Sequence, residues 1–166
     1  MAKARTARSK IFTHLWYAKD ADKAAKLYAS IFPRSRVDSV WTLPSDSPSG
    51  PAGAVKVVDF TLLGQRFQAL TAGPHHDFND AMSIVVECDN QAELDRYWKA
   101  LLKGGGKAVA CGWLIDKFGV RWQVFPVEIE KWNTSKNKKK KQAMTEAMWK
   151  MVKLDFKKLK EAFDRA

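Results

Sequence analysis

Leu63-Gly64-Gln65-Arg66-Phe67-Gln68-Ala69 and Phe118-Gly119-Val120-Arg121-Trp122-Gln123-Val124 are one pattern written twice: a glycine turn, then a strand with the same arginine and glutamine around an aromatic residue. Self-similarity at a fixed offset marks a duplicated structural unit. Upstream of the first copy, IFTHLWY (residues 11 to 17) is rich in aromatic and β-branched residues and reads as a strand ending in the turn Ala18-Lys19-Asp20. Ala24, Ala25, Leu27, Tyr28 and Ile31 then recur at helical spacing, with Asp20 as a plausible N-cap and Pro33 as the stop. Residues 36 to 43 read as a second strand, residues 43 to 53 as a Ser/Pro/Gly loop, and residues 55 to 63 and 66 to 72 as a hairpin.

The second copy has the same lead-in. MSIVVEC (82 to 88) reads as an apolar strand ending at Asp89, and Leu94, Tyr97, Trp98 and Leu101 mark a helix that breaks at Gly104-Gly105-Gly106. The order predicted for each half is β, α, β, β, β. The expected organisation is a basic segment (1 to 10), two βαβββ modules (11 to 80 and 81 to 132), a Lys-rich linker (133 to 141) and C-terminal helices (142 to 166). In that last segment Met144, Met148 and Met151 form one stripe and Phe156, Leu159 and Phe163 another, as packing faces do.

The formal net charge is +11, and its distribution matters more than its total. Residues 1 to 10 carry four cations and no acid; residues 133 to 166 carry eleven cations against four acids; residues 11 to 132 carry fourteen of each. The expected globular part is therefore neutral. With no recognition helix or stacking platform beside the lysines, a nucleic-acid partner is expected at most non-specifically. Cys88 and Cys111 match neither a disulfide framework nor a zinc spacing and read as reduced thiols, which points to a cytoplasmic protein. No apolar run approaches the ~18 residues of a membrane span, so no membrane partner is expected.

The strand Thr13-His14-Leu15-Trp16-Tyr17, the helix Ala24 to Tyr28 with Ile31-Phe32-Pro33, the segment Gly73-Pro74-His75 and the run Cys111-Gly112-Trp113-Leu114 to Trp122-Gln123 together resemble the PhnB-like branch of the vicinal oxygen chelate superfamily. That branch, labelled 3-demethylubiquinone-9 3-methyltransferase-like, belongs with glyoxalase I, bleomycin-resistance proteins and extradiol dioxygenases. The resemblance implies an α+β fold in which paired modules build a cup-shaped, eight-stranded mixed sheet with helices outside. It also implies a homodimer, in keeping with the apolar tail helices.

Catalytic members of the superfamily hold a divalent metal through four residues, and the resemblance carries those positions onto Thr13, Gln68, Ser83 and Gln123. None is a histidine or a carboxylate, the donors such metals need, so a metal-free cup is expected and no cofactor is called for. The polar residues expected to line it are Thr13, Tyr17, Arg66, Gln68, Ser83, Glu87, Arg121 and Gln123. Arg66 and Arg121 occupy equivalent repeat positions, where they either attract an anionic ligand or pair with Glu87 or Asp59. His14 is expected on the face opposite the ligand positions, under a helix, and His75-His76-Asp77 in a solvated or pocket-rim loop.

Three functions follow as alternatives: a binding protein or metal-independent enzyme for a small organic molecule; a methyltransferase, or a metal-dependent lyase or dioxygenase, as the superfamily names suggest; and non-specific nucleic-acid binding through the basic ends. A methyltransferase of the doubly wound kind would need a glycine-rich turn after the first strand, whereas the glycine cluster here follows a helix.

Overall fold

The computed structural model describes residues 10 to 166. Residues 1 to 9, most of the basic N-terminal segment, lie outside the described residues. The chain divides into two compact units, Met1–Asp77 and Phe78–Ala166.

In the first unit the elements are β1 (Thr13–Tyr17), α1 (Ala21–Ile31), β2 (Arg36–Thr42), β3 (Lys56–Leu62) and β4 (Gln65–Thr71), and the sheet order is β1-β4-β3-β2. β1 runs parallel to β4, while the other pairs are antiparallel. β3 and β4 are joined by the two residues Leu63 and Gly64, with φ of 49° and 87°. Positive φ at both positions is the geometry that suits the twist of a two-residue hairpin, and glycine makes the second position free of strain.

Alternation then sorts the side chains. Leu15, Tyr17, Val58, Phe60, Phe67 and Ala69 are buried beneath α1, which contributes Ala21, Ala24, Ala25 and Tyr28. Small residues on the helix let it lie close to the sheet. Phe60 and Phe67 stack at 5.4 Å, and the Tyr17 and Tyr28 hydroxyls meet at 3.3 Å. Asp20 stands at the start of α1 in the left-handed region (φ 67°) and makes no side-chain cap; it pairs with Lys23 at 2.9 Å instead.

The second unit repeats the plan with β5 (Ile84–Cys88), α2 (Gln91–Leu102), β6 (Lys107–Ala108), β7 (Trp113–Ile115) and β8 (Arg121–Pro126), in the order β5-β8-β7-β6. Val86, Cys88, Leu114, Trp122 and Val124 are buried with Leu94, Tyr97, Trp98 and Leu101 of α2. The Asn90 side chain caps α2 at Glu93 N–H, and Glu93 in return accepts from Asp89 N–H. The eight strands are thus hydrogen-bonded as two four-stranded mixed sheets, not as one continuous sheet.

After β8 come α3 (Glu128–Asn133), α4 (Lys138–Trp149) and α5 (Phe156–Arg165). Met144 and Leu159 are buried, and Phe163 stacks on Trp132 at 6.0 Å, so the two stripes pack within the unit. The tail is also tied to the sheet: Cys111 and Gly112 N–H groups donate to the Met151 and Val152 carbonyls. The lysine run differs from the expected linker. Asn137 caps Lys140 N–H, so Lys138 to Lys141 already form the first turn of α4.

Candidate functional site

The face of the first sheet away from α1 carries a connected polar group centred on β4. The parallel register sets His14 beside Gln68, and the hairpin register sets Asp59 on its other side. Gln68 Nε2 donates to Asp59 Oδ1 at 3.0 Å, and Gln68 Oε1 lies 3.0 Å from His14 Nδ1. A carboxylate accepts only, so it must face the amide NH2; the amide oxygen is then left for His14, whose Nδ1 must carry the proton. In the neutral ring this leaves Nε2 as a lone-pair acceptor on an exposed side chain.

Asp59 is the hub of this group. It also accepts from Arg66 Nη2 at 3.0 Å, Ser39 Oγ at 3.2 Å and Trp41 Nε1 at 3.4 Å. Partial burial raises the Asp59 pKa, but the bonds from Arg66, Gln68, Trp41 and Ser39 outweigh that and hold it below the usual aspartate value. The Arg66 guanidinium lies 3.6 Å from the centre of the Phe12 ring, so it is held from two sides. Of the two readings open for Arg66, the structure has the pairing with Asp59.

Two residues expected in the cup lie elsewhere. Thr13 and Tyr17 alternate with His14 and Trp16, and they share the α1 side with Leu15; Tyr17 is buried against Tyr28. His14, expected under a helix, is on the exposed side with Gln68. The position carried over to Thr13 falls one residue from His14, and in a strand one residue exchanges the faces. Trp16, on the His14 face, donates its indole N–H to the Gly73 carbonyl at 3.0 Å. Both histidines of the loop after β4 stand nearly perpendicular to its ring, His75 at 5.8 Å and His76 at 5.7 Å between ring centres.

In the second unit, Ser83, Glu87, Arg121 and Gln123 all lie on the face away from α2. Gln123 Nε2 donates to Ser83 Oγ at 2.7 Å. Arg121 donates to the Gly119 carbonyl at 2.6 Å and pairs with Asp80 at 2.8 Å rather than with Glu87. Asp80 is 78% exposed, so that pair is weak and exchangeable.

The donors do not suit the metal site of the catalytic relatives. Gln68 is committed to Asp59 and His14, and Gln123 to Ser83; the strand partner of Gln123 is Val85, which has no donor atom. Among the described residues no group of three or more His, Cys, Asp or Glu side chains could hold a metal ion.

Comparison with known proteins decides the family. Residues 9–125 match the family model described as 3-demethylubiquinone-9 3-methyltransferase. The chain belongs to this family. Among solved structures, the PhnB protein of Bacillus cereus, described under the same methyltransferase name, is 30% identical, with a TM-score of 0.63 over 72% of this chain and 100% of that one. A Pseudomonas aeruginosa protein is 21% identical, with a TM-score of 0.54 over 73% of this chain and 98% of that one. The fosfomycin resistance protein FosX of Mesorhizobium loti, 13% identical with a TM-score of 0.51, covers 72% of this chain and 91% of its own and shares the fold. No curated protein matches the sequence.

The PhnB-like, glyoxalase-type fold is therefore shown, and the activity in the family's name is a separate matter. Each sheet contains a single parallel pair and is not doubly wound, and the residues between β1 and α1 are Ala18-Lys19-Asp20, without glycine. That does not fit the nucleotide-type cradle an S-adenosylmethionine enzyme of the doubly wound kind would need. Among the described residues no helix is long and apolar enough to cross a membrane.

Proposed function

We propose that this PhnB-like protein binds a small organic molecule on the polar face of its first sheet, without a metal, through His14 and Gln68. The observation that carries this is the chain Asp59–Gln68–His14, which fixes one histidine tautomer and leaves its Nε2 as an acceptor on an exposed side chain. A site prepared in this way favours a ligand that offers an O–H or N–H, such as an alcohol, phenol or enol. The Trp41 indole, held by Asp59, adds an aromatic surface 44% exposed.

The same lone pair is placed to take a proton from a bound acid, so a metal-independent proton transfer is the chemistry within reach of this face. Arg66 adds no net charge, because Asp59 neutralises it. On the second sheet Arg121, whose partner is largely in solvent, is the cation that an anionic ligand would engage, with Ser83 and Gln123 nearby on the same face.

The test is a thermal-shift and NMR titration with phenolic, hydroxy-acid and aromatic metabolites. A ligand at 100 times its dissociation constant stabilises the folded state by about 2.7 kcal/mol. The expected result is stabilisation of the natural protein that is lost in His14→Phe and Gln68→Leu. If no compound stabilises it, or if both variants respond as the natural protein does, the proposal is wrong.

A further inference from the structure

The first turn of α4 carries an electrostatic cost. Lys136, Lys138, Lys139, Lys140 and Lys141 fall within six residues, and the last four occupy the amino end of a helix, where the backbone dipole disfavours cations. No acidic residue stands in that turn. Among the described residues no salt bridge reaches any of the five, and Lys136, Lys138 and Lys139 are exposed. Only Lys140 is engaged, its Nζ 5.6 Å from the Phe163 ring centre.

The cations nearby are arranged differently. On α5, Lys157 pairs with Glu161, Lys158 with Asp155, Lys160 with Asp164 and Arg165 with Glu161, while Lys153 pairs with Asp95 of α2. The tail thus neutralises its charge almost everywhere except at this turn. Unmatched cations gathered around one helix end form a field that attracts a polyanion.

The character of the turn selects among polyanions. A membrane surface takes lysines together with apolar side chains that enter it, yet of the exposed apolar residues of the tail Trp149 is the last of α4 and Val152 lies beyond it. A single strand would need a stacking ring at the lysines, and the ring there, Phe163, faces Lys140. Regularly spaced phosphates on a stiff backbone need neither. We infer that Lys136 and Lys138 to Lys141 form a docking surface for the phosphodiester backbone of a nucleic-acid duplex, read without regard to base sequence and independent of the ligand site on the first sheet.

The experiment is fluorescence anisotropy of the full chain with a short DNA duplex of arbitrary sequence, between about 50 and 200 mM salt. Four phosphate contacts predict that affinity falls by about a hundredfold over that range, and each contact contributes a slope of about −0.9 in log K against log salt. The triple variant Lys138→Glu, Lys139→Glu, Lys141→Glu is expected to lose most of the affinity and about three contacts' worth of slope. Its melting temperature should stay level or rise, because acids suit the amino end of a helix. Binding and folding then move in opposite senses, which a damaged fold would not produce. No binding of the natural chain at 50 mM salt, an unchanged affinity and slope in the triple variant, or tighter binding to phosphatidylserine vesicles than to the duplex would each overturn the inference.

Discussion

Replacing Asp59 by asparagine tests whether the polar face of the first sheet is an organised site or a scatter of surface groups. Asparagine keeps one acceptor oxygen and puts an NH2 where the other was. Either the Arg66 and Gln68 donors, both at 3.0 Å from Oδ1, or the Ser39 and Trp41 donors at Oδ2 then face a donor. Hydrogen bonds to a charged partner contribute about 1.5–3 kcal/mol each and neutral ones about half of that. Arg66 retains the Phe12 ring and some solvent, which limits the loss. A net cost of about 2 kcal/mol follows, or roughly 4–8 °C in melting temperature for a chain of this size.

The pH dependence of that difference has a definite sign. The Asp59 pKa is lower folded than unfolded, so its contribution is complete above the ordinary carboxylate range and disappears as pH falls through the folded value. The melting gap between natural protein and variant should be full at pH 7 and close below about pH 4. Nitrogen NMR supplies the second reading: the His14 ring should change from one fixed tautomer to a mixture in the variant, since the amide of Gln68 is no longer forced to face a carboxylate. Equal melting temperatures at pH 7 together with an unaltered His14 tautomer would refute the hub.

Two further predictions concern the second unit. Asp116, 3% exposed, accepts from Phe118 N–H, Val120 N–H and the Trp122 indole, so Asp116→Ala strands three donors and should cost about 4 kcal/mol in urea unfolding, while a cost below about 1 kcal/mol would contradict it. Burial, with help from Glu93 and Asp89, pushes the Cys88 thiol up to about 12, so at pH 8 a thiol reagent should modify Cys111 first and reach Cys88 only on unfolding; equal rates in the native protein would count against the placement of Cys88.

Much of the candidate site could be read before folding was considered, and some of it went unread. The β3–β4 turn places Asp59 and Gln68 at equal distances from Leu63-Gly64, so the hub lies opposite Gln68 by hairpin register alone. The pairing of Arg66 with Asp59 follows from that neighbourhood and was one of two readings the sequence left open. Alternation puts Leu15 with Thr13 and Tyr17, and the structure buries Leu15 and Tyr17 under α1. Thr13 and Tyr17 are polar residues in a set that packs under the helix, so their hydroxyls do not mark the open face.

What the sequence determined by itself was whatever local periodicity and repetition encode: two βαβββ modules and the buried stripes of α1 and α2. Tertiary structure alone decided which polar groups met across segments distant in the sequence. Parallel register brought His14 to Gln68, and hydrogen bonding closed the eight strands into two sheets of four. Alternation says which residues share a face, but a hydrogen-bond partner on another strand depends on register between distant segments, and that is set only when the whole sheet packs.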